Sequence, residues 1–161
     1  MRVISIIEET MADGPGLRTS VYLAGCKHRC PGCHNPETWN FNQGDIWDPY
    51  QLALKLTENP YTNITFSGGD PLFQLEELTR CCQYIKELSD KNIWVYTGFP
   101  SQEVLYNKKY QPLLQSIDTI VTEPYVEALR DTTLPFRGSS NQRILNIKEV
   151  YEAINCRTTI G

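Results

Sequence analysis

The chain has 161 residues, of which 40% are hydrophobic and 21% charged, an ordinary composition for a globular protein. This length suits one domain over residues 1–161, in which folding buries roughly two thirds of the surface that the unfolded chain exposes. The net charge of −4, with scattered lysines and arginines, excludes the electrostatic footprint of nucleic acid or of an anionic membrane as partner. The N-terminal apolar run is short and meets Glu8 and Glu9, so we predict neither a signal peptide nor a membrane span and expect a cytoplasmic protein.

Strand and helix patterns alternate along the chain. The predicted strands, rich in β-branched and aromatic residues, are in order RVISII, RTSVYLAG, NITFSG, NIWVY, DTIVTEP and QRILNI. The predicted helices are DPYQLALKLTEN, LFQLEELTRCCQYIKELSD, SQEVLYN and YVEALRD. Asp48 and Pro49 supply the cap and the first residue of the first helix, and the second helix has the clearest apolar spacing. Strands and helices that alternate with short links predict parallel β–α–β units.

Three turn motifs directly follow predicted strands: GCKHRCPGCHNP, SGGDP and YTGF. In folds of this kind, ligands bind at the carboxyl ends of the parallel strands. We therefore expect the three motifs to meet at one edge of the sheet. The aromatic residues Trp94 and Tyr96, just before the third turn, are predicted to serve packing.

Three of the six cysteines, Cys26, Cys30 and Cys33, lie within the first turn at the spacing C-x3-C-x2-C. In a reducing compartment such thiols are typical of metal sites rather than of disulfides. Thiolates are natural ligands of zinc and of iron–sulfur clusters, and a structural zinc site takes four protein ligands. Three cysteines on a four-iron cluster would leave one iron open. The other three, Cys81, Cys82 and Cys156, are interpreted as core or surface thiols.

The cysteine spacing after one strand and the Gly-Gly-acidic-Pro turn after the next resemble the radical S-adenosylmethionine superfamily. More narrowly, four motifs in order resemble the activating proteins of anaerobic ribonucleoside-triphosphate reductases: DGPGLRTSVYLAGCKHRCPGCHNPETW, SGGDPL, WVYTGF and RGSSNQRIL. They span most of the chain, from Asp13 to Leu145. The resemblance implies an α/β fold, an open, partial (β/α) barrel of about four to six units, smaller than the full eightfold barrel.

The resemblance also implies the site. Cys26, Cys30 and Cys33 would be the metal ligands of one [4Fe-4S] cluster, and S-adenosyl-L-methionine would bind the open iron through its amino and carboxylate groups. The turn Gly68, Gly69 and Asp70 would meet the methionyl amino group, and Gly32 and His34 would lie against the adenosyl part. The cofactor-binding residues implied in this way are Gly32, Cys33, His34, Gly68, Gly69, Asp70, Thr97 and Gly98.

The activity implied is that of a radical enzyme, an oxidoreductase with no catalytic residue beyond the cluster and its cofactor. One electron would cleave S-adenosylmethionine to methionine and a 5'-deoxyadenosyl radical. That radical would remove a hydrogen from a glycine Cα on the large subunit of the anaerobic reductase and leave a glycyl radical there. The partners implied are this subunit and an electron donor such as flavodoxin, and a second copy of the chain is a further candidate.

Two rival functions stay open. The first is another radical enzyme of the same superfamily, either an activator of a different glycyl-radical enzyme or a small deazapurine-forming synthase. The second is a zinc-binding interaction module, in which His28 or His34 would complete the three cysteines. The larger glycyl-radical activators of the superfamily often carry an inserted ferredoxin-like stretch with extra cysteines. No such insertion stands between Trp39 and Asn63, which disfavours that branch.

Several residues have an ordinary structural interpretation beside the functional one. Asp70 is also a good N-cap, since Pro71 follows it at the first position of a predicted helix. The stretch Asp13–Gly16 is either a simple turn or the mouth of the site, and Arg18 either pairs with a carboxylate or belongs to that mouth. The polar segment Arg137–Arg143 is either a solvated loop or a surface near the cofactor. The turn Thr122–Pro124 departs from the family pattern, which leaves its ligand role open.

Overall fold

A computed structural model describes residues 1–160 as an α/β protein built on one seven-stranded sheet. The strands are β1 (Arg2–Thr10), β2 (Arg18–Leu23), β3 (Asp45–Ile46), β4 (Asn63–Gly68), β5 (Ile93–Tyr96), β6 (Thr119–Thr122) and β7 (Arg143–Asn146). The α-helices are α1 (Pro49–Thr57), α2 (Leu75–Leu88), α3 (Ser101–Tyr106), α4 (Gln111–Leu114) and α5 (Ile147–Ile160). Short 3-10 helices span Pro36–Trp39, Pro71–Gln74, Lys108–Tyr110 and Glu127–Leu129. Among the described residues, no helix combines the length and the apolar character that crossing a bilayer requires.

The sheet is mixed, with the strand order β3-β1-β2-β4-β5-β6-β7. The four central strands β2, β4, β5 and β6 run parallel, as the alternation of patterns predicts. The flanking strands are antiparallel to their neighbours, which the alternation alone does not predict. The carboxyl ends of the four parallel strands therefore lie at one edge of the sheet, and the three turn motifs begin at that edge.

The two faces of the sheet differ in chemistry because side chains alternate along a strand. On one face the apolar residues of the central strands, such as Val21, Phe66 and Val95, join one core cluster with the helices α1, α2 and α4. The intervening residues of the same strands are largely polar or aromatic and include Arg18, Ser20, Tyr22, Thr65, Trp94 and Tyr96. The sequence thus separates a packed face from a face that carries hydrogen-bonding groups.

Arg18 organises the polar face, and its side chain is only 1% exposed. Its guanidinium donates to Thr65 Oγ1 at 2.8 Å, to the Ile64 carbonyl at 2.8 Å, and to Asn92 Oδ1 at 2.9 Å. It also lies over the Trp94 ring at 5.6 Å. Arg18 therefore bonds to neutral oxygens, and the predicted carboxylate partner is wrong. Burial lowers the pKa of Arg18 to about 10, although nearby groups, Tyr96 first, favour the charged form.

Four elements differ from the sequence-based prediction: the segment YVEALRD, and β3, α4 and α5, which were not predicted. The segment YVEALRD is not an α-helix: only Glu127–Leu129 forms a 3-10 turn. Part of its backbone is bound elsewhere, because the Val126 N–H donates to Ser139 Oγ at 3.2 Å and the Ser140 N–H donates to the Leu129 carbonyl at 2.9 Å. The C-terminal helix α5, which directly follows β7, was not predicted.

Candidate metal and cofactor site

The cysteine turn leaves the carboxyl end of β2 and is held by backbone hydrogen bonds. The Gly25 N–H donates to the Thr38 carbonyl at 2.8 Å, and the Cys26 N–H donates to the Trp39 carbonyl at 3.2 Å. Cys26, Cys30 and Cys33 all line one cavity of about 130 Å³. The structure thus brings the three predicted metal ligands to one place, with Cys26 buried and the other two partly exposed.

The environment of these thiols affects how they would take up metal. Burial raises the pKa of Cys26, although backbone hydrogen bonds at His28 oppose it, and burial likewise raises the pKa of Cys30. Without metal, both groups therefore favour the neutral thiol. Because the thiolate is the metal ligand, metal uptake here would release protons.

The second turn, SGGDP, lies directly against the first. The Gly69 N–H donates to the Leu23 carbonyl and the Asp70 N–H donates to the Gly25 carbonyl, both at 2.8 Å. A side chain at Gly69 would collide with the Gly25 carbonyl, so glycine is needed for this approach. The Gly-Gly pair therefore locks the second turn onto the cysteine turn.

Asp70 is the hub of the site and is 1% exposed. Its carboxylate accepts from the Leu72 N–H at 3.0 Å, which confirms the predicted N-cap. It also accepts from the Thr97 hydroxyl at 2.9 Å and from the Gly98 N–H at 2.8 Å. His28 Nε2 lies 2.7 Å from Asp70 Oδ2. These four donors match the roughly four acceptor positions of a carboxylate, so its oxygens are fully used within the protein.

His28 connects the cysteine turn to the other two turns. Its ring packs edge-on against Phe99, with the centroids 4.6 Å apart, and also contacts Phe73. A methyl group at Gly98 would stand 2.7 Å from the His28 ring, so the third turn needs glycine at this position. The ring nitrogen Nε2 is hydrogen-bonded to Asp70. This bond fits a His28 that holds the turns together better than a His28 that binds zinc.

The expectation that the three turns meet at one edge is confirmed. Seven of the predicted residues line the first cavity, namely Cys26, Cys30, Cys33, Gly69, Asp70, Thr97 and Gly98. His34 lines an adjoining cavity of about 380 Å³, and its ring contacts Tyr125 at 5.3 Å. Gly32 and Gly68 line neither cavity: a side chain at Gly32 would meet the Glu127 carboxylate, and one at Gly68 would meet the β2 backbone.

Five further residues line the first cavity. Trp39 and Tyr125 were not singled out, Tyr96 was predicted to serve packing, and Glu123 and Gln142 lie in segments whose role the sequence left open. The sequence signal for Glu123 and Tyr96 was their position at the end of a parallel strand. Glu123 accepts from the Ser101 N–H at 2.8 Å. Burial opposes its ionisation, but the hydrogen bonds from Ser101 and Thr122 outweigh burial and lower the pKa of Glu123.

The polar segment Arg137–Arg143 is folded onto the site rather than solvated as a loop. Ser139 is fully buried, and the Gln142 side chain accepts from the Gly138 N–H at 2.8 Å. Arg137 lines the larger cavity together with Asp13, and its Nε is buried without a hydrogen-bond partner among the described residues. Asp13 itself accepts from the Tyr22 hydroxyl at 2.5 Å. The motifs at both ends of the chain therefore form one mouth beside Cys33.

The remaining cysteines lie away from both cavities. Cys81 and Cys82 are fully buried on α2, and Cys156 is exposed on α5. Within the part of the chain that the structure describes, no three His, Cys, Asp or Glu side chains are grouped tightly enough to hold a single metal ion. A cubane is bonded at its separate corners, so its ligands stand around a larger volume than those of one ion.

Three thiols around one cavity at the carboxyl edge of a parallel sheet form a donor set suited to an iron–sulfur cluster. In agreement, the chain matches the family model described as a 4Fe-4S single cluster domain over residues 12–145. A relative from Haemophilus influenzae, an anaerobic ribonucleoside-triphosphate reductase-activating protein, is 33% identical over 156 residues, which covers 92% of this chain and 99% of the relative. Proteins of the same name from Escherichia coli K12 and Enterobacteria phage T4 are 34% and 33% identical and cover 86% and 82% of the chain, with 94% and 85% of their own lengths matched. The chain belongs to the family of anaerobic ribonucleoside-triphosphate reductase-activating proteins.

Proposed function

We propose that this protein holds one [4Fe-4S] cluster through Cys26, Cys30 and Cys33, binds S-adenosylmethionine beside it, and installs a glycyl radical on the large subunit of an anaerobic ribonucleoside-triphosphate reductase. The observation that carries the proposal is the first cavity, in which three cysteines face the Gly69–Asp70 and Thr97–Gly98 turns. The reductase as partner follows from the names of relatives that match nearly their whole length.

The residues present fit a cluster with one open iron. Three thiols reach the cavity, and the other cysteines of the described chain are either buried in the core or exposed on α5. The cluster and S-adenosylmethionine together would supply a one-electron cleavage that yields a carbon radical able to take a hydrogen from glycine. The protein would supply the three cysteine ligands and the surrounding turns that orient the cofactor.

We assign contact with the methionyl amino group to the Gly68–Asp70 turn, at Gly69, which lines the first cavity. Because four internal donors occupy the Asp70 carboxylate, its role is to fix the shape of this turn and of Thr97–Gly98. Glu123 adds a carboxylate at the cavity wall. Its Oε1 accepts from Ser101 and Thr122, whereas Oε2 has no hydrogen-bond partner in the described chain and is available to a cofactor ammonium or hydroxyl.

The polar face of the sheet suits the partial barrel of about four to six units that the superfamily resemblance implies. Arg18, Trp94 and Tyr96 lie on that face, and the loop at Asp13–Pro15 crosses it, since Thr65 donates to the Asp13 carbonyl at 2.7 Å. The cavity of about 380 Å³ beside Cys33 would let a glycine-bearing loop of another protein reach the cofactor. A flavodoxin-like electron donor, a homodimeric state and a cytoplasmic location complete the proposal.

Anaerobic reconstitution with iron and sulfide tests the cluster and the cofactor. We expect about four irons per chain, broad visible absorption, and a paramagnetic resonance signal on reduction that changes when S-adenosylmethionine is added. Stoichiometric zinc without this signal would support the interaction module instead.

Incubation of the reduced protein with candidate enzymes tests the substrate. We expect a glycyl doublet on an anaerobic ribonucleoside-triphosphate reductase, together with 5'-deoxyadenosine. A doublet on pyruvate formate-lyase and none on the reductase would assign the chain to the rival activator class.

A further inference from the structure

The segment between Cys26 and Cys30 presents different chemistry to its two sides. Cys26, His28 and Cys30 line the inner cavity that would hold the cluster. Cys26, Lys27 and Arg29 line a separate outer cavity of about 560 Å³. Cys26 therefore lines both the inner and the outer cavity. It separates the proposed cluster site from an outer surface that carries the cations Lys27 and Arg29.

These two cations are exposed and unused. In the described chain, neither Lys27 nor Arg29 forms a salt bridge, and neither side chain donates a hydrogen bond. Each lies over an aromatic ring instead: Lys27 Nζ is 5.8 Å from the Phe41 centroid, and Arg29 Cζ is 5.9 Å from the Trp39 centroid. Cations that stay free of acidic partners on a chain of net charge −4 form a local field that differs from the rest of the surface.

The surface around these cations is held by backbone hydrogen bonds and is partly apolar. The Cys26 N–H bond to Trp39 and the Gly25 N–H bond to Thr38 tie the aromatic segment to the cysteine turn. The Phe41 ring packs so closely on Gly25 that a side chain there would collide with it. Arg2 reaches the rim, where its guanidinium donates to the Asn42 carbonyl at 3.2 Å, and Glu37 is the acid on the cavity wall. Aromatic residues and arginine beside a charged rim are typical of protein interfaces.

We propose that this outer face, defined by Lys27, Arg29, Trp39 and Phe41, is the docking surface for an acidic one-electron carrier of the flavodoxin kind. The proposal rests on the proposed function only in that Cys26, Cys30 and Cys33 hold an iron–sulfur cluster. In the transfer, the carrier's reduced flavin loses one electron and the cluster gains it, and no bond in this protein is made or broken. Transient redox complexes bury little surface, so complementary charge rather than area would bring the carrier to this face.

The test is the rate at which a reduced flavodoxin reduces the cluster-loaded protein without S-adenosylmethionine or reductase, followed by the loss of visible absorption. We expect the variant K27E/R29E to be slower by roughly ten- to a hundredfold at low ionic strength. The difference should vanish near 1 M salt, where the screening length is about 3 Å. The variant K27Q/R29Q should have an intermediate rate. Because no cofactor cleavage is measured, a failure of the proposed radical activity would not affect this result.

Two controls isolate the surface. Lys148→Glu makes the same kind of charge change at the opposite edge of the sheet, near Asp118, and should leave the flavodoxin rate unchanged. Photoreduced 5-deazariboflavin, a small uncharged reductant, should reduce the double variants as fast as the wild type, which also confirms that they carry the cluster. Equal flavodoxin rates for K27E/R29E and the wild type at low salt would overturn the proposal, as would an equal loss in Lys148→Glu.

Discussion

Asp70 joins three segments of the chain through one carboxylate. Its hydrogen bonds begin the 3-10 helix Pro71–Gln74, hold Thr97 and Gly98 at the end of β5, and reach His28 in the cysteine turn. The sequence identified Asp70 both as a helix cap and as a cofactor residue. The cap is confirmed. The other bonds show that Asp70 holds His28, Thr97 and Gly98 in place, although neither of its oxygens is free to bind a ligand.

Asp70→Asn should therefore weaken both stability and the site. An amide has one acceptor oxygen and an NH₂ group, so it would face at least one of the buried donors with another donor. We expect the free energy of unfolding to fall by about 1–3 kcal/mol in denaturant titrations. Asp90→Asn, at an exposed position, should change it by less than about 0.5 kcal/mol. An equally small effect at Asp70 would show that the network is not stabilising.

The six cysteines should divide into two groups by metal content. Replacing any one of Cys26, Cys30 or Cys33 with Ala should abolish the cleavage of S-adenosylmethionine and lower the iron bound per chain, because each lines the inner cavity. Cys81→Ala should keep both, since Cys81 lies in the core of α2. If iron analysis found Cys81 equally necessary, our separation of the cysteines would be wrong.

At the scale of single elements, the sequence predicts an element correctly where its hydrogen bonds join residues that are neighbours in the chain. Helix α1 begins as predicted: the Asp48 carboxylate accepts from the N–H groups of Tyr50 and Gln51 at 2.9 and 3.1 Å, and Pro49 follows the cap. The helix predicted at YVEALRD is wrong, because part of this backbone bonds to Ser139 and Ser140, which are distant in sequence. Helical spacing over so few residues cannot reveal such a competing partner.

Asp48→Ala should measure the local contribution to α1. Removal of a side-chain cap leaves two N–H groups of the first turn without their acceptor, and we expect a loss of about 1 kcal/mol in the free energy of unfolding. Asp90→Ala is the matched control, since Asp90 is an exposed acid outside the helices. A loss of the same size at both positions would point to general charge effects rather than to the cap.

At the scale of the whole molecule, α2 packs against the apolar face of the sheet, and its thiols Cys81 and Cys82 are fully buried there. Burial raises the pKa of Cys81 from its ordinary 9 to about 12; the N-terminal ammonium opposes this rise and Asp48 adds to it. Burial also raises the pKa of Cys82 well above its ordinary value. The unfolded chain would lose these protons near pH 9, whereas the folded chain keeps them. The contribution of these two thiols to the free energy of unfolding is therefore fully present below about pH 9, and it is lost progressively as the pH rises above that value.

Cys81→Ala should flatten this alkaline decline. One buried thiol contributes a slope of about 1.4 kcal/mol per pH unit once the unfolded state has ionised. Between about pH 8 and about pH 10, the metal-free variant should lose about 1.4 kcal/mol less than the wild type in urea titrations, in the presence of a reductant. Cys156→Ala, at an exposed position, should follow the wild-type curve. Parallel curves for Cys81→Ala and the wild type would contradict this account.

The sequence by itself determined the central strands, the caps of α1 and of the turn at Asp70, and the three motifs whose residues line one cavity. These features depend on local spacing and on the rule that parallel strands end at one edge, so neighbouring residues suffice to predict them. Only the tertiary structure decided the antiparallel flanking strands, the neutral partners of Arg18, the use of all Asp70 oxygens within the protein, and the placement of Glu123 and Gln142 at the site. Each of these depends on which distant groups meet, because a buried donor or acceptor bonds to whatever partner the packed chain brings within reach.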